Sequence, residues 1–221
     1  MIKLIKDEGI FVIKLIKDEP VYNFEEYYAR LINLTSDLDG AFVEFGYGVG
    51  VSANIFLSSY ASRRIEKDVY LFDSFKGFPA PTKEDLVTNS QIAKGDWNKS
   101  SLERAVEETK QFGAYGIKVK VVPGFFKDSL PLEEITEVSL LHLDCDLYES
   151  YKTTLEQMYD TVEVGGVIAF DEYKSPVQLK RFPGAAKAID EFFSALISDV
   201  VIHEVPFYNG KTIKYYMIKG E

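Results

Sequence analysis

Five short apolar runs, separated from one another by helical or polar stretches, constrain the fold of this 221-residue chain more than any other feature. Strands that alternate with helices form a parallel sheet with right-handed crossover connections. The apolar runs occupy residues 41–45, 69–72, 118–122, 139–143 and 167–170, and apolar residues at helical spacing occupy 24–34, 52–63, 101–112, 151–159 and 185–197.

Two further β-rich runs, at 200–206 and 212–218, flank the pair Asn209-Gly210. This pair between β-forming runs predicts a tight hairpin turn. The sequence therefore predicts a Rossmann-like α/β fold with a seven-stranded, mostly parallel sheet and a C-terminal antiparallel hairpin. The polar stretches 76–100 and 174–184 are predicted to be long loops, which in compact domains are often functional.

The N-terminal region contains a repeated segment, because residues 2–8 recur letter for letter at 13–19. Both copies are rich in β-forming residues and predict a hairpin arm. The arm is either a local duplication without a role in chemistry or a contact for a second copy of the chain. We expect an arm and helix over 1–39, a main domain over 40–221, and a homodimer built with the arm and the aromatic helix 24–34.

Charge and composition restrict the partners. The formal net charge is −10, and no basic stripe offsets it, so the surface repels nucleic-acid phosphates and anionic membranes. We expect neither as a partner. The single cysteine, Cys145, excludes a disulfide within this sequence and suits a reducing compartment. These observations predict a cytoplasmic protein that acts on a small molecule.

A glycine-rich turn follows the first apolar run, where Gly46, Gly48 and Gly50 precede a predicted helix. Glycines at this position allow a tight turn and a close approach of a nucleotide to the backbone. Asp73, at the end of the second run, can accept hydrogen bonds from ribose hydroxyls, or it can cap a turn with Ser74. The Gly-x-Gly-x-Gly spacing, with an acid two residues before it, favours S-adenosylmethionine over NAD.

The third run ends in Gly124 and Phe125. Phe125 lies either against an adenine, with Gly124 giving access, or in the core.

Acidic residues follow the fourth and fifth runs, with Asp144 and Asp146 after one, and Asp171 and Glu172 after the other. Both pairs are therefore predicted at the carboxyl edge of the sheet, where ligands bind in open α/β folds. Crowded carboxylates repel one another unless a cation joins them, and oxygen donors suit Mg²⁺ or another divalent metal. The alternative is a set of carboxylates that caps helices and binds no metal.

A divalent cation beside a hydroxyl lowers the pKa of that hydroxyl and holds its oxygen toward a methyl donor. Asp144 is the first candidate for the catalytic proton acceptor, and Asp146 is the second. His142 is predicted to be packed and hydrogen-bonded. Three cations after the fifth run line a substrate mouth or are solvated loop charges: Lys174, Lys180 and Arg181.

With these motifs the chain resembles the macrocin O-methyltransferase family, which comprises metal-dependent sugar O-methyltransferases. The matching segments are FVEFG (42–46), FDSFKGFP (72–79), VPGFFKDSLP (122–131), LDCDLYES (143–150), FDEY (170–173) and PGAAKAID (183–190).

The resemblance implies a class I methyltransferase fold, a metal held by Asp144, Asp171 and Glu172, and Ser101 near the adenine. Glu172 departs from the family pattern, in which a second aspartate is usual. Cys145 likewise replaces the usual glycine. The expected function is S-adenosylmethionine-dependent, metal-assisted O-methylation of a hydroxylated small molecule such as a sugar or glycoside. Its alternatives are an NAD-dependent oxidoreductase and a non-catalytic nucleotide-binding relative. The expected cofactor contacts are Glu44, Gly46, Gly48, Gly50, Ser52, Asp73, Ser74, Ser101, Gly124 and Phe125.

Overall fold

The computed structural model describes residues 2–6, 9–86, 91–196 and 199–221, with side chains from residue 12 onward. Within these ranges nine strands form one sheet, in the order β1-β2-β8-β9-β7-β6-β3-β4-β5. Strands β3 to β7 are parallel, and β9 is antiparallel to both β7 and β8. The strands are β1 (Ile2–Lys6), β2 (Gly9–Lys17), β3 (Ala41–Phe45), β4 (Lys67–Asp73), β5 (Ile117–Pro123), β6 (Val138–Leu143), β7 (Val162–Phe170), β8 (Val200–Pro206) and β9 (Ile213–Ile218).

The α/β class and the C-terminal antiparallel hairpin are confirmed, but the sheet has nine strands where seven were predicted. The two additional strands come from the repeated N-terminal segment. β1 pairs with β2 as an antiparallel hairpin, and β2 runs parallel to β8 with Ile13 opposite Val200. The repeat therefore extends the same sheet, and the proposed domain division after residue 39 stays a prediction.

Helices cover both faces of the sheet, as a parallel sheet with buried strands requires. Helices α1 and α2 pack on one face, where the rings of Tyr28 and Phe56 lie 4.4 Å apart. Helices α5 and α7 cover the other, where Phe170 meets Phe193 at 6.0 Å. The helices are α1 (Phe24–Leu34), α2 (Val51–Arg63), α3 (Leu102–Thr109), α4 (Phe126–Ser129), α5 (Tyr148–Met158), α6 (Pro176–Arg181) and α7 (Pro183–Ala195).

Helix α1 buries the aromatic face on which part of the homodimer expectation rested. Asn23 caps the helix by accepting a hydrogen bond from the backbone N–H of Glu26. Tyr27 and Tyr28 are almost completely buried against the sheet of the same chain. The spacing of apolar residues in this helix therefore reflects intramolecular packing.

The stretch 174–184, predicted as a loop, contains helix α6 and the beginning of α7. Ser175 caps α6 by accepting a hydrogen bond from the backbone N–H of Gln178, and Pro176 occupies the first turn. Six residues are too few to show helical periodicity in the sequence, which is why this helix was missed. No helix among the described residues combines the length and apolar character needed to span a membrane.

A cluster around His203 ties β2, α1, β8 and β9 together. The two ring nitrogens of His203 lie 3.0 Å from Asp18 Oδ1 and 2.8 Å from Glu221 Oε2. The ring stacks on Tyr216, whose hydroxyl donates to Asp18 at 2.7 Å, and Arg30 approaches Asp18 within 3.5 Å. Partial burial opposes the charged ring, but the two carboxylates outweigh burial and raise the pKa of His203.

This arrangement predicts a pH-dependent contribution to stability. A raised pKa in the folded state means that the contribution is complete below about pH 6.5, the usual pKa of histidine, and is lost as the pH rises through the folded-state value. His203→Gln should therefore lower the melting temperature more at pH 5.5 than at pH 8.5, measured by circular dichroism. Glu204→Gln on the same strand serves as the control. A His203→Gln deficit of equal size at both pH values would contradict the assignment.

Candidate functional site

A cavity of about 700 Å³ opens at the carboxyl ends of β3, β4, β6 and β7. This is the edge at which the sequence placed the ligand-binding residues. The structure brings ten of the predicted residues together in its lining, namely Gly46, Gly48, Ser52, Asp73, Ser74, Phe125, Asp144, Asp146, Asp171 and Glu172. Four others lie outside the lining, namely Glu44, Gly50, Ser101 and Gly124.

The glycine turn after β3 brings two strand ends into contact. Gly46 has a φ of +96°, and a Cβ there would lie 1.9 Å from the carbonyl oxygen of Asp144. Only glycine fits this position. The N–H of Gly48 donates to Asp73 Oδ2 at 2.8 Å, so the turn is also held against the end of β4. The turn thus borders a cradle formed by three neighbouring strands.

Asp73 organises the turn that follows its own strand. Its Oδ1 accepts a hydrogen bond from the N–H of Phe75 at 2.7 Å and lies 3.5 Å from the hydroxyl of Ser100. Burial raises the pKa of Asp73, opposed by the hydrogen bonds from Phe75 and Gly48. The turn-capping role considered as an alternative is therefore present, and the carboxylate also lines the cavity.

Glu44 lies beneath the turn, fully buried, with Oε1 2.9 Å from Nδ1 of His142. Its Oε2 has no hydrogen-bond partner among the described residues. The His142 ring packs against the rings of Tyr28 and Phe56. Burial opposes protonation of His142, and Glu44 overcomes this and raises its pKa. His142 is thus a packed, hydrogen-bonded residue, as its sequence position predicted.

Two of the predicted contacts outside the lining, Gly50 and Ser101, cap helices. Gly50 caps helix α2 with a φ of +80°, and a Cβ there would lie 2.4 Å from the hydroxyl of Tyr47. Ser101 caps helix α3 by accepting from the N–H of Arg104. The serine that approaches Asp73 is Ser100, the neighbour of Ser101. No sequence pattern distinguishes Ser100 from Ser101, so this contact could not be predicted.

The acidic ends of β6 and β7 converge. One oxygen from each of Asp144, Asp171 and Glu172 lies within 4.8 Å of the others. Burial, followed by repulsion from Asp171, raises the pKa of Asp144 to about 7. Burial and the neighbouring aspartates also raise the pKa of Glu172. Three hard oxygen donors whose negative charges repel one another match the donor set of a divalent cation.

Asp146 completes the acidic group from a strained backbone position, with a φ of +60°. Burial and the charges of Asp144 and Asp171 raise its pKa. Its backbone N–H donates to Glu172 Oε2 at 3.2 Å, and the same oxygen lies 2.9 Å from the hydroxyl of Tyr151. Glu172 is one methylene longer than the usual aspartate, and its side chain contacts Tyr151 in the first turn of α5.

Lys214 is a member of the site that sequence reasoning missed. It lies on β9, is buried, and bonds through Nζ to Asp171 Oδ1. Burial opposes the ionised form of Asp171, but Lys214 lowers the pKa of that carboxyl. The sequence position of Lys214, in a β-rich run far from the acidic motifs, carried no signal of this contact.

The polar stretch 76–100 folds over the open side of the cavity in its described parts. The backbone N–H of Phe78 donates to the carbonyl oxygen of Asp96, and the N–H of Gly95 donates to the carbonyl oxygen of Phe78. Asp85 is buried. Asp85 accepts from the N–H of Thr82 and of Tyr148, both at 2.8 Å, which fixes the stretch to the beginning of α5.

Of the three cations after β7, Arg181 lines the cavity and Lys174 does not. Lys174 pairs with Asp190 at 2.8 Å. Arg181 is placed against two aromatic rings, with its guanidinium carbon 4.7 Å from the ring centre of Trp97 and 5.0 Å from that of Phe182. Trp97 and Phe182 line the cavity as well, and neither was singled out from the sequence.

Comparison with solved structures agrees with this architecture. The O-methyltransferase NovP superposes with a TM-score of 0.74 at 22% identity, over 90% of this chain and 80% of that one. A calicheamicin methyltransferase gives 0.72 at 22% identity, over 90% and 79%. The fold is therefore that of the class I methyltransferases, as predicted.

Sequence comparison finds similar proteins whose activities are named. The demethyldecarbamoylnovobiocin O-methyltransferase of Streptomyces niveus is 31% identical over 130 residues, which are 58% of this chain and 47% of that protein. The mycinamicin III 3''-O-methyltransferase of Micromonospora griseorubida is 27% identical over 134 residues, 58% and 52% of the two chains. The chain thus spans about half the length of the curated relatives it matches.

The family model of macrocin-O-methyltransferase (TylF) matches residues 6–197, which is most of the chain. This segment contains the glycine turn, Asp73 and all three converging carboxylates. The resemblance identified from the sequence motifs is confirmed: the chain belongs to the macrocin-O-methyltransferase family.

Proposed function

We propose that the protein transfers a methyl group from S-adenosylmethionine to a hydroxyl of a small molecule, a sugar or glycoside, with the help of a divalent cation. The observation that carries this proposal is a single cavity that joins the glycine turn and Asp73 to the carboxylates of Asp144, Asp171 and Glu172. A donor site and a hydroxyl-activating site within one cavity suit group transfer between two bound molecules.

The donor half consists of the turn and the end of β4. S-adenosylmethionine supplies a methyl group bound to a positively charged sulfur. The Gly46–Gly48 backbone leaves room for close approach, and Asp73 offers its carboxylate to the ribose hydroxyls. Ser52, Ser74 and Phe125 line the same part of the cavity. Glu44 lies outside the cavity lining, with its buried carboxylate against His142.

The acceptor half consists of the acidic cluster. Asp144, Asp171 and Glu172 are the residues that would hold Mg²⁺ or a similar ion, and their mutual repulsion is the reason for their fit. A bound divalent cation would supply Lewis acidity that lowers the pKa of an acceptor hydroxyl. Lys214 neutralises Asp171 and so keeps the cluster compact without that cation.

Asp144 is the proposed proton acceptor. The acceptor oxygen forms a bond to the methyl carbon as the bond from that carbon to sulfur breaks, and the hydroxyl proton passes to the Asp144 carboxylate. A carboxylate within reach of the acceptor hydroxyl can act as its general base, and Asp144 lines the same cavity as the glycine turn. Asp146, with a raised pKa in the same cluster, is the second candidate.

The proposal is tested by calorimetry with S-adenosylhomocysteine and with NAD, followed by a radiolabelled methyl-transfer screen over nucleotide sugars, glycosides and catechols. The relatives are named as O-methyltransferases of demethyldecarbamoylnovobiocin and of mycinamicin III, and the family resemblance implies sugar acceptors, which is why sugars stand first. Binding of NAD in place of S-adenosylhomocysteine would favour the oxidoreductase alternative. Donor binding without transfer to any acceptor would favour the non-catalytic one.

We further propose a homodimer in which the free edge of β1 pairs with a second copy. In the described sheet β1 pairs only with β2, so its outer edge is available for hydrogen bonding. The cytoplasmic location and the absence of nucleic-acid and membrane partners stay predictions.

Asp73→Ala should weaken S-adenosylhomocysteine binding by about 1.5–3 kcal/mol, roughly 10- to 150-fold, because hydrogen bonds to a charged group are lost. Isothermal calorimetry measures the change. Asp68→Ala on the same strand, whose side chain is half exposed and pairs with Lys118, is the matched control and should bind normally. Equal affinity of Asp73→Ala and wild type would remove Asp73 from the site.

Asp144→Asn should reduce the methyl-transfer rate by about a thousandfold, since it removes a metal ligand and the proton acceptor together. Donor affinity should remain near wild type, because Asp73 and the glycine turn are unchanged. EDTA should abolish transfer by the wild type, and Mg²⁺ should restore it. Wild-type rates in Asp144→Asn, or in EDTA, would exclude the metal mechanism.

The proposed dimer should appear in sedimentation velocity at micromolar concentration. A variant without residues 1–6 should sediment as a monomer with an unchanged circular dichroism spectrum. A monomeric full chain, or a dimer that persists without residues 1–6, would show that β1 is not the contact.

A further inference from the structure

Three positive side chains line the cavity, and one of them, Arg181, is close enough to Asp146 for their charges to interact. Lys99, Lys127 and Arg181 belong to the lining. Within the described ranges none of the three makes a side-chain hydrogen bond or a salt bridge. Some other cations of the chain form salt bridges, such as Lys120 with Glu134 and Lys187 with Glu84. The lining also contains acidic residues, namely Asp73, Asp144, Asp146, Glu149, Asp171 and Glu172, so these three cations are the groups in it that can attract an anion.

Arg181 is exposed, and two aromatic rings contact its guanidinium. Its guanidinium lies against the rings of Trp97 and Phe182, and Phe78 packs against both rings with centroids 6.3 Å away. Contact with an aromatic ring occupies the face of a guanidinium and leaves the N–H groups at its edge available. Such a group is oriented before a ligand arrives, which reduces the entropy lost on binding.

The cavity lining therefore contains an acidic region and a cationic region, which lie close enough for the charge of Arg181 to act on Asp146. The carboxylates lie at the ends of β6 and β7. Arg181 is the last residue of α6, and Lys99 lies 5.1 Å from the ring centre of Trp97 in the stretch that covers the cavity. A molecule that fills the acceptor half can place a hydroxyl at the acidic region and a negative group at the cationic one. A neutral glycoside would use only the first.

We propose that Arg181 determines acceptor specificity by binding an oxyanion, a phosphate ester or a carboxylate, on the molecule whose hydroxyl is methylated. The acceptor is then an anionic hydroxylated compound, of which a phosphorylated sugar is the simplest kind. This inference rests on the proposed function. The carboxylate of the methyl donor is the competing anion, and the experiment separates the two.

The test is calorimetric titration of protein saturated with S-adenosylhomocysteine. The probes are glucose 1-phosphate, glucuronate and methyl glucoside, each with and without Mg²⁺. We expect at least one of the two anions to bind more tightly than methyl glucoside, and the stronger of the two identifies the oxyanion. Arg181→Gln should weaken that anion about 10- to 100-fold, the range for a charge-assisted hydrogen bond.

Two further variants test whether a positive charge is sufficient and whether it must lie at position 181. Arg181→Lys keeps the charge and loses the planar stacked group, so its loss should be intermediate. Arg64→Gln, at an exposed arginine beyond α2, changes the net charge equally and should bind the anion as the wild type does. Unchanged circular dichroism would show that all three variants are folded.

Three results would overturn the proposal. Equal affinity for methyl glucoside and both anions would show that the oxyanion is not recognised. Anion binding that needs Mg²⁺ and is insensitive to Arg181→Gln would assign the anion to the acidic cluster. A parallel loss of S-adenosylhomocysteine affinity in Arg181→Gln would assign Arg181 to the donor. Absence of S-adenosylhomocysteine binding in the wild type would instead contradict the proposed function itself.

Discussion

The backbone contact between Gly46 and Asp144 is the constraint on which the rest of the site depends. It lies where β3 and β6, which are neighbours in the sheet, end side by side. Since a Cβ at Gly46 would lie 1.9 Å from the Asp144 carbonyl oxygen, any other residue would push the two strand ends apart. The glycine turn and the acidic cluster would then no longer border one cavity. The proximity of these two parts of the cavity thus depends on the absence of a side chain at one position.

Charge balance is the second requirement of this architecture. Four carboxylates stand at the ends of β6 and β7, and their burial would be unfavourable without compensation. Lys214 provides it from β9, the strand antiparallel to β7, by contacting Asp171. The C-terminal hairpin therefore contributes to the chemistry of the site as well as to the edge of the sheet. Tyr151 and the N–H of Asp146 satisfy the oxygen of Glu172 in a similar way.

The sequence predicted those site residues that follow apolar runs. Gly46, Asp73, Asp144 and Asp171 could be placed together because the carboxyl ends of parallel strands share one edge.

Other contacts could not be predicted, because they join segments that are distant in the sequence and share no hydrophobic pattern. Lys214 reaches Asp171 across an antiparallel pairing, and Trp97 meets Arg181 across two polar stretches. The pairing of the N-terminal hairpin with β8 could not be predicted either, since two β-rich runs do not specify which edge of the sheet they join. Local hydrophobic periodicity thus predicted the main strands and helices, whereas the contacts between loops could be identified only in the tertiary structure.

The parallel pairing of β2 with β8 has a consequence for the order in which the chain acquires its structure. Val12 and Asp199, which are hydrogen-bonded at this junction, are 187 residues apart. During synthesis, residues 9–17 leave the ribosome long before their partner strand exists. Contacts between such distant residues form slowly, and an unpaired strand edge is prone to wrong association in the meantime. The pairing of β2 with β8 can therefore form only after β3, β4 and β6, which lie beyond β9 and β7 in the sheet, have been synthesised.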